Sequence, residues 1–183
     1  HHRIDYSSYE WLIAAAKETV QKKYGAPLEE KINLVMNIGD QVDRAWLDQY
    51  ERNHFYKSSY FSTGIPTMTA VGNHDVYEDA DLKKWNTIFS YENLSYQGIS
   101  SNTEAYYAFH EGSILFIVMN TNPDYTNDVQ LNWLKQVVEA ASKDNTVTFI
   151  MSSCHRPVYT ETYLMDGSDP GYSEWLKNEA APV

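Results

Sequence analysis

Side chains that can bind metal ions or transfer protons follow four short apolar runs of the sequence, at the point where each run ends. They are Asp40, Asp43 and Arg44 after residues 32–38, Asn73, His74 and Asp75 after residues 66–71, Asn120 after residues 114–119, and His155 after residues 147–151. Functional groups collect beyond the carboxyl ends of strands in an open α/β sheet, so we expect these side chains to converge. Carboxylate, amide oxygen and imidazole together favour a divalent ion such as Mn, Fe or Zn, which predicts Lewis-acid hydrolysis.

The elements that must position these groups alternate along the chain between strand-like and helix-like patterns. The four apolar runs are typical of buried strands. Helices are predicted at residues 7–24, 46–61, 80–91 and 129–142. The last of these helices follows Asn127-Asp128, which is a favourable N-cap sequence. The alternation predicts an α/β fold.

One part of the chain departs from that alternation. Residues 104–110 lead through a Glu111-Gly112 turn directly into the third apolar run, which predicts a β-hairpin and therefore a mixed sheet. Residues 93–103 are rich in Ser and Asn and are expected to form a polar loop.

Composition and charge indicate one globular domain, residues 1–183, and exclude two classes of partner. The chain is 43% hydrophobic and 21% charged, which is enough apolar material for a core. Its 14 Lys and Arg against 25 Asp and Glu give a formal net charge of −11, which excludes nucleic-acid binding by bulk charge. No run approaches the roughly 18 apolar residues of a membrane span.

Cys154 is the single cysteine, so neither an internal disulfide nor a cysteine-based zinc site is expected. It precedes His155 directly. Because neighbouring residues in an extended segment point to opposite faces, a Cys154-His155 nucleophilic pair is disfavoured.

The motifs together resemble those of the calcineurin-like metallophosphoesterase family. The resemblance rests on Gly39-Asp40-x-x-Asp43-Arg44, on Gly72-Asn73-His74-Asp75 and on His155, and it spans about residues 32–160. The sequence His155-Arg156-Pro157-x-Tyr159 is similar to the purple-acid-phosphatase-like branch. The resemblance implies a four-layer fold of two packed mixed β-sheets flanked by helices, which this chain covers incompletely.

The resemblance also implies a dinuclear centre of two divalent metal ions and a role for each of six residues. These are Asp40 as the carboxylate between the two ions, Asn73 and His155 as ligands of the second ion, His74 as general acid, Asp43 as the partner of the other His74 ring nitrogen, and Arg44 as a phosphate contact. Such a centre hydrolyses phosphomonoesters or phosphodiesters with a metal-bridged hydroxide, so a small phosphorylated substrate is expected.

The departures from the family pattern leave an alternative function open. The family's Asp-x-His motif has no counterpart unless His1 or His2 is its tail, and its Gly-His-x-His motif is not found before Val183. Both ends are therefore expected to be cut ends. The alternative is a catalytically incomplete scaffold that binds a partner or a glycan through its aromatic residues. Because position 43 is Asp where the purple branch usually has Tyr, a Tyr-to-iron colour is not expected. Relatives of that branch are often exported, which favours export here.

Structural interpretations also stay open for individual residues. Asp40 could cap a helix. Asn73-His74-Asp75 could form an Asx turn, and His155 could be a core or turn histidine. Arg44 could begin the next helix in a surface salt bridge instead of contacting phosphate.

Overall fold

Seven short strands form three small sheets in the computed structural model, which describes residues 7–51, 64–159 and 173–183. The strands are β1 (Val35–Asn37), β2 (Thr67–Thr69), β3 (Ser95–Tyr96), β4 (Ile99–Ser100), β5 (Tyr107–Glu111), β6 (Ile114–Val118) and β7 (Phe149–Ser153). Strands β1 and β2 are parallel, and β3 and β4 are antiparallel. In the third sheet, β6 lies between an antiparallel β5 and a parallel β7. The predicted α/β fold with mixed sheets is therefore confirmed.

The helices are α1 (Ser7–Tyr24), α2 (Leu47–Gln49), α3 (Trp85–Ile88) and α4 (Asp128–Ala141), with 3₁₀ turns at Leu28–Glu30 and Pro123–Tyr125 and a π-helical segment at Leu176–Ala180. Helix α1 has the predicted bounds and ends at Tyr24, directly before Gly25, whose φ is +67°. The side chain of Asn127 accepts hydrogen bonds from the N–H groups of Val129 and Gln130 and so caps α4 as predicted. Within the described ranges, no helix combines the length and the apolar character needed to cross a bilayer.

The predicted hairpin is present as the β5–β6 pair. Its register pairs Tyr107 with Val118 and Glu111 with Ile114, and Gly112 in the turn has a φ of +61°. The side chains of β6 are mostly buried, which explains the uninterrupted apolar run in the sequence. All four predicted strands are found as β1, β2, β6 and β7, the first two shorter than the apolar runs. The prediction that all four are buried is wrong for β7, whose apolar side chains Phe149, Ile150 and Met151 are exposed, and β1 is only half-buried.

One predicted helix and one predicted loop differ from the structure, and another predicted helix is described only in part. The helix predicted at 80–91 is only α3, because Leu82 has a φ of +54° and the Asp79 carboxylate accepts from Lys84 N–H at 2.8 Å, which fixes a late start. Of the helix predicted at 46–61, α2 is described and residues 52–63 lie outside the described residues. The predicted polar loop contains the β3–β4 hairpin, because Gln97 and Gly98 adopt φ angles of +51° and +81°, as a two-residue hairpin turn requires.

The core is built mainly from aromatic and aliphatic side chains. The largest fully buried ones include Trp85, Tyr50, Tyr107, Leu115 and Val137. The Trp85 ring packs edge-on against Tyr50, with ring centroids 6.3 Å apart. The Tyr107 hydroxyl accepts from Thr69 N–H at 2.9 Å and donates to Thr69 O at 2.8 Å, so it joins β5 to β2. This joint fixes the strand pair β1–β2 against the three-stranded sheet.

Glu104 is a buried carboxyl group whose protonation is linked to the stability of this core. One of its oxygens accepts hydrogen bonds from the N–H groups of Tyr91 and Glu92. Burial, and next the adjacent Glu92 carboxyl group, raise the pKa of Glu104 above its ordinary value. A raised folded-state pKa means that the group's contribution to stability is complete at low pH and is lost as the pH rises through that pKa.

Glu104→Gln is therefore expected to stabilise the protein by a margin that grows as the pH rises above the ordinary pKa of a glutamate side chain and through the raised pKa of Glu104. The amide keeps an oxygen for the two N–H groups and carries no charge. Thermal unfolding followed by circular dichroism measures the margin, and each kcal/mol corresponds to about 2–4 °C in a domain of this size. Glu111→Gln, at an exposed position on β5, is the control. A margin that stays constant with pH would contradict the prediction.

Candidate metal centre and active site

Two glycines allow three loops to come into contact beyond the ends of β1, β2 and β7. A β-carbon on Gly72 would lie 2.2 Å from both the backbone N and Oδ1 of Asp40. A β-carbon on Gly39, whose φ is +106°, would lie 2.6 Å from Nδ1 of His155. Any larger residue at either position would separate the loops, which is the physical reason for glycine before Asp40 and before Asn73.

The three predicted metal ligands meet at this junction. Nε2 of His155 lies 3.0 Å from Oδ1 of Asn73 and 3.3 Å from Oδ2 of Asp40. The other ring nitrogen, Nδ1, lies 2.9 Å from the carbonyl oxygen of Ile38, which can only accept, so Nδ1 carries a proton. One nitrogen and two oxygens thus face a common point from three loops. This donor set suits a divalent ion.

The charges at this junction are complementary. Burial acts to raise the pKa of Asp40, but the hydrogen bonds from His155 and from the His74 N–H outweigh it, so the pKa lies below its ordinary value. The hydrogen bond to Asp40 raises the pKa of His155 against the opposing effect of burial. Asp40 also has a φ of +51°, an uncommon backbone conformation for a residue with a side chain. A strained, half-buried carboxylate that is held ionised is typical of a functional site.

His74 contacts Asp43 as predicted, but its shorter contact is to the backbone oxygen of Asp43 and not to the carboxylate. Nδ1 of His74 lies 2.8 Å from the backbone oxygen of Asp43 and 3.5 Å from its carboxylate Oδ1. The backbone N–H of His74 donates to Oδ1 of Asp40 at 3.0 Å. The Tyr77 ring packs against the His74 ring with centroids 4.8 Å apart. These contacts fix the imidazole beside the ligand cluster, with Nε2 as the ring nitrogen that Asp43 does not contact.

Arg44 forms a surface salt bridge, as the alternative to a phosphate contact predicts, but it does not begin the next helix, since α2 starts at Leu47. Its Nη1 lies 3.1 Å from Oε1 of Glu78, in an ion pair between exposed side chains. Its guanidinium also lies 6.0 Å from the ring of Trp46. A phosphate contact by Arg44 requires this exposed pair to open, and exposed ion pairs are worth little. The phosphate contact therefore stays a prediction.

Asp75 has a role that the sequence interpretation did not assign. It is fully buried and accepts hydrogen bonds from Gly72 N–H at 2.8 Å, Gln41 N–H at 3.1 Å and Tyr50 Oη–H at 3.0 Å. Burial raises the pKa of Asp75 to about 6 although these hydrogen bonds oppose the effect. Asp75 thus joins the loop that follows β1 to the loop that follows β2. Its place in the Gly72–Asp75 motif was the only sequence signal for this role.

Cys154 and Asn120 are two other residues named from the sequence. Burial raises the pKa of the Cys154 thiol to about 11, which keeps it protonated and agrees with the disfavoured nucleophile. Asn120 is fully buried, and its Oδ1 accepts from both the backbone N–H and the side-chain amide of Asn122. The sequence interpretation missed Asn122.

Comparisons with known proteins agree with this geometry. Purple acid phosphatase 23 of Arabidopsis thaliana is 29% identical over 100 residues, which is 52% of this chain and 21% of that protein. Purple acid phosphatase 15 of the same plant is 29% identical over 98 residues, 52% of this chain and 18% of that protein. The chain therefore spans about a fifth of the length of these relatives.

The fold has a counterpart among solved structures. The purple acid phosphatase PPD1 from yellow lupin (Lupinus luteus) seeds superposes with a TM-score of 0.55 at 14% sequence identity, over 80% of this chain and 26% of that chain. The likeness places the mixed α/β sheets in the metallophosphoesterase fold. The family model for calcineurin-like phosphoesterases matches residues 2–181, which include every residue of the Asp40, Asn73 and His155 junction. With the fold, the motifs and this match in agreement, the chain belongs to the calcineurin-like phosphoesterase family.

Proposed function

We propose that this chain forms part of the active site of a metal-dependent phosphoesterase that hydrolyses phosphomonoesters or phosphodiesters. The observation that carries the proposal is the convergence of Asp40, Asn73 and His155 on one point, with His74 beside them. Family membership supports phosphoester hydrolysis as the general reaction.

The donor set fits the expected metal ions, with Mn, Fe and Zn as candidates. Asp40 provides the anionic oxygen, Asn73 a neutral oxygen and His155 the nitrogen. Divalent ions held there would supply Lewis-acid activation of the phosphoryl group and of the attacking water. The Ile38 carbonyl holds the Nδ1 proton of His155, which leaves Nε2, on the side of Asn73 and Asp40, as the nitrogen that would bind an ion.

The proton for the leaving group comes from His74 in this proposal. The backbone oxygen of Asp43 lies 2.8 Å from Nδ1 and its carboxylate Oδ1 lies 3.5 Å from the same atom, so Asp43 fixes the orientation of the ring. The remaining nitrogen, Nε2, is then the atom that donates a proton to the departing oxygen. Asp43 acts through His74 and does not itself need to touch the substrate.

The test of the metal centre is Asp40→Asn, which keeps the size of the side chain and removes its charge. We expect the dissociation constant for Mn²⁺ to rise by more than about 100-fold, since even changes behind a ligand cost about 10–100-fold. Calorimetric titration of the chain with Mn²⁺ measures this, and hydrolysis of p-nitrophenyl phosphate and of bis(p-nitrophenyl) phosphate reports the reaction.

Asp81→Asn is the matched control, because Asp81 is an exposed carboxylate that pairs with Lys83 at 3.0 Å. Its Mn²⁺ affinity should equal that of the wild type. Equal affinities in the Asp40 variant and the control would overturn the proposed metal centre.

A catalytically incomplete scaffold that binds a partner or glycan is the second candidate. It is favoured by exposed aromatic side chains near the junction, Trp46 at 45% and Tyr77 at 46% exposure. Among the described residues, no group of three or more His, Cys, Asp and Glu side chains forms a metal cluster. Binding of oligosaccharides that is unaffected by Asp40→Asn, together with no hydrolysis, would favour this candidate. Export stays a prediction from the family resemblance.

A further inference from the structure

We propose that Thr121 and Asn122, at the end of β6, are positioning residues that fix the spacing between Asn73 and His155. The inference deepens the proposed function and rests on its metal centre. Both residues are buried, with exposed fractions of 3% and 4%, and neither belongs to the motifs that define the site.

Asn122 holds the loop that carries Asn73. Its side-chain Nδ2 donates to the carbonyl oxygen of Gly72 at 3.1 Å, across 50 positions of sequence. Gly72 O belongs to the peptide group that links Gly72 to Asn73. The direction of that peptide plane sets the backbone of Asn73, and with it the place of the amide oxygen that faces His155.

Thr121 holds the loop that carries His155. Its Oγ1 accepts a hydrogen bond from the backbone N–H of Arg156 at 3.1 Å. That N–H belongs to the peptide group that links His155 to Arg156. One dipeptide therefore contacts the peptide group directly before Asn73 and the one directly after His155.

The dipeptide is itself anchored to the core through Asn120 and Gln130. The Oδ1 atom of Asn120 accepts two hydrogen bonds from Asn122, one from its backbone N–H and one from its side-chain Nδ2, each at 2.9 Å. Gln130 on α4, also fully buried, accepts from Asn120 N–H and donates to Asn120 O, each at 2.9 Å. Because these groups have no access to water, their geometry is held firmly. The segment that follows β6 therefore holds both the loop that carries Asn73 and the loop that carries His155 in fixed positions.

Fixed positions matter because metal–ligand distances tolerate deviations of only about 0.2 Å. Groups behind the ligands typically change metal affinity by about 10–100-fold when they are replaced. Loss of either contact would let Asn73 and His155 move relative to each other. We therefore expect the effect in metal affinity and not only in stability.

The test uses isosteric variants of the two residues. Asn122→Asp removes the side-chain N–H donors to Gly72 O and to Asn120 Oδ1, and Thr121→Val removes the acceptor for Arg156 N–H. Each should raise the Mn²⁺ dissociation constant of the chain by about 10–100-fold in calorimetric titration. The negative charge added by Asn122→Asp would by itself attract a cation, so a weaker affinity in a variant that circular dichroism shows to be folded indicates lost positioning. Thr121→Ser, which keeps the hydroxyl, should bind Mn²⁺ like the wild type.

Tyr96→Phe is the control for a lost hydrogen bond elsewhere, since Tyr96 is buried and its hydroxyl donates to Asp144 at 2.7 Å. It should lower stability without changing Mn²⁺ affinity. If Asp40→Asn weakens binding but Asn122→Asp and Thr121→Val do not, the positioning proposal is wrong and the metal centre stands. If the wild type shows no Mn²⁺ binding that depends on Asp40, crystal structures of Asn122→Asp and Thr121→Val test the positioning role instead. An Asn73 Oδ1 to His155 Nε2 distance that stays at 3.0 Å in both variants would overturn that role.

Discussion

Replacing His74 with glutamine is expected to lower the rate of phosphoester hydrolysis by about 10²–10⁴-fold while leaving Mn²⁺ affinity near that of the wild type. The contact that joins His74 to the ligand cluster is its backbone N–H on Asp40, which glutamine keeps. The side chain instead contacts Asp43, at 2.8 Å from Nδ1 to the carbonyl oxygen. Loss of the imidazole should therefore remove proton transfer and spare the metal centre.

The leaving group provides a second readout of the same prediction. p-Nitrophenolate departs without much help from an acid, whereas an alkoxide needs a proton. The loss of rate in His74→Gln should therefore be larger for glycerol phosphate than for p-nitrophenyl phosphate. His110→Gln, at an exposed histidine on β5, is the matched control and should change neither rate nor affinity. Equal losses for both substrates would contradict the role of His74 as general acid.

The parts of the fold that were predictable from sequence depend on local physics. Helix α1 is found within its predicted bounds because its apolar periodicity ends at a glycine that adopts φ +67°. The cap of α4 follows from one asparagine whose side chain satisfies two backbone N–H groups. The β5–β6 hairpin follows from a short turn between two apolar runs. In each case the deciding contacts lie within a few residues of one another.

The parts that were not predicted include local features that the residue types do not reveal. Helix α3 begins late because Leu82 adopts a φ of +54° and the buried Asp79 carboxylate accepts the N–H of Lys84, five positions later. The β3–β4 hairpin is hidden in a polar segment because its turn uses Gln97 in a left-handed conformation. Tyr96 on β3 belongs to the buried core. The alternation of polar and apolar residues around it does not indicate this, because the residues that cover it come from other parts of the fold.

The candidate site shows the same division. Motif spacing brought Asp40, Asn73 and His155 together in prediction, and the structure has all three in contact. Asp75 and Asn122, by contrast, act on backbone groups 34 and 50 positions away. From the sequence alone, Asp75 and Asn122 are residues of types that commonly occur in turns. Only the packed structure reveals that they hold the loops on which the ligands lie.

Replacing Gly72 with alanine is expected to abolish Mn²⁺ binding and to destabilise the protein by about 1–3 kcal/mol or more. The added methyl group would lie 2.2 Å from the backbone N and Oδ1 of Asp40. A backbone atom cannot rotate away as a flexible side chain can, and the His74 N–H holds that same Oδ1. The loops must therefore separate, and Asp40 must leave Asn73 and His155. Thermal unfolding and Mn²⁺ titration measure the two effects.

Gly112→Ala separates this steric effect from the general cost of replacing a glycine. Gly112 has a φ of +61°, and a β-carbon there would meet no heavy atom within 4 Å, so alanine costs only the left-handed backbone strain of about 1–2 kcal/mol. Gly72 carries no such backbone penalty, since its φ lies outside the left-handed region. The two variants should thus lose comparable stability for different reasons, and only Gly72→Ala should lose metal binding. Retained binding in Gly72→Ala would mean that the close approach of the two loops is not what assembles the site.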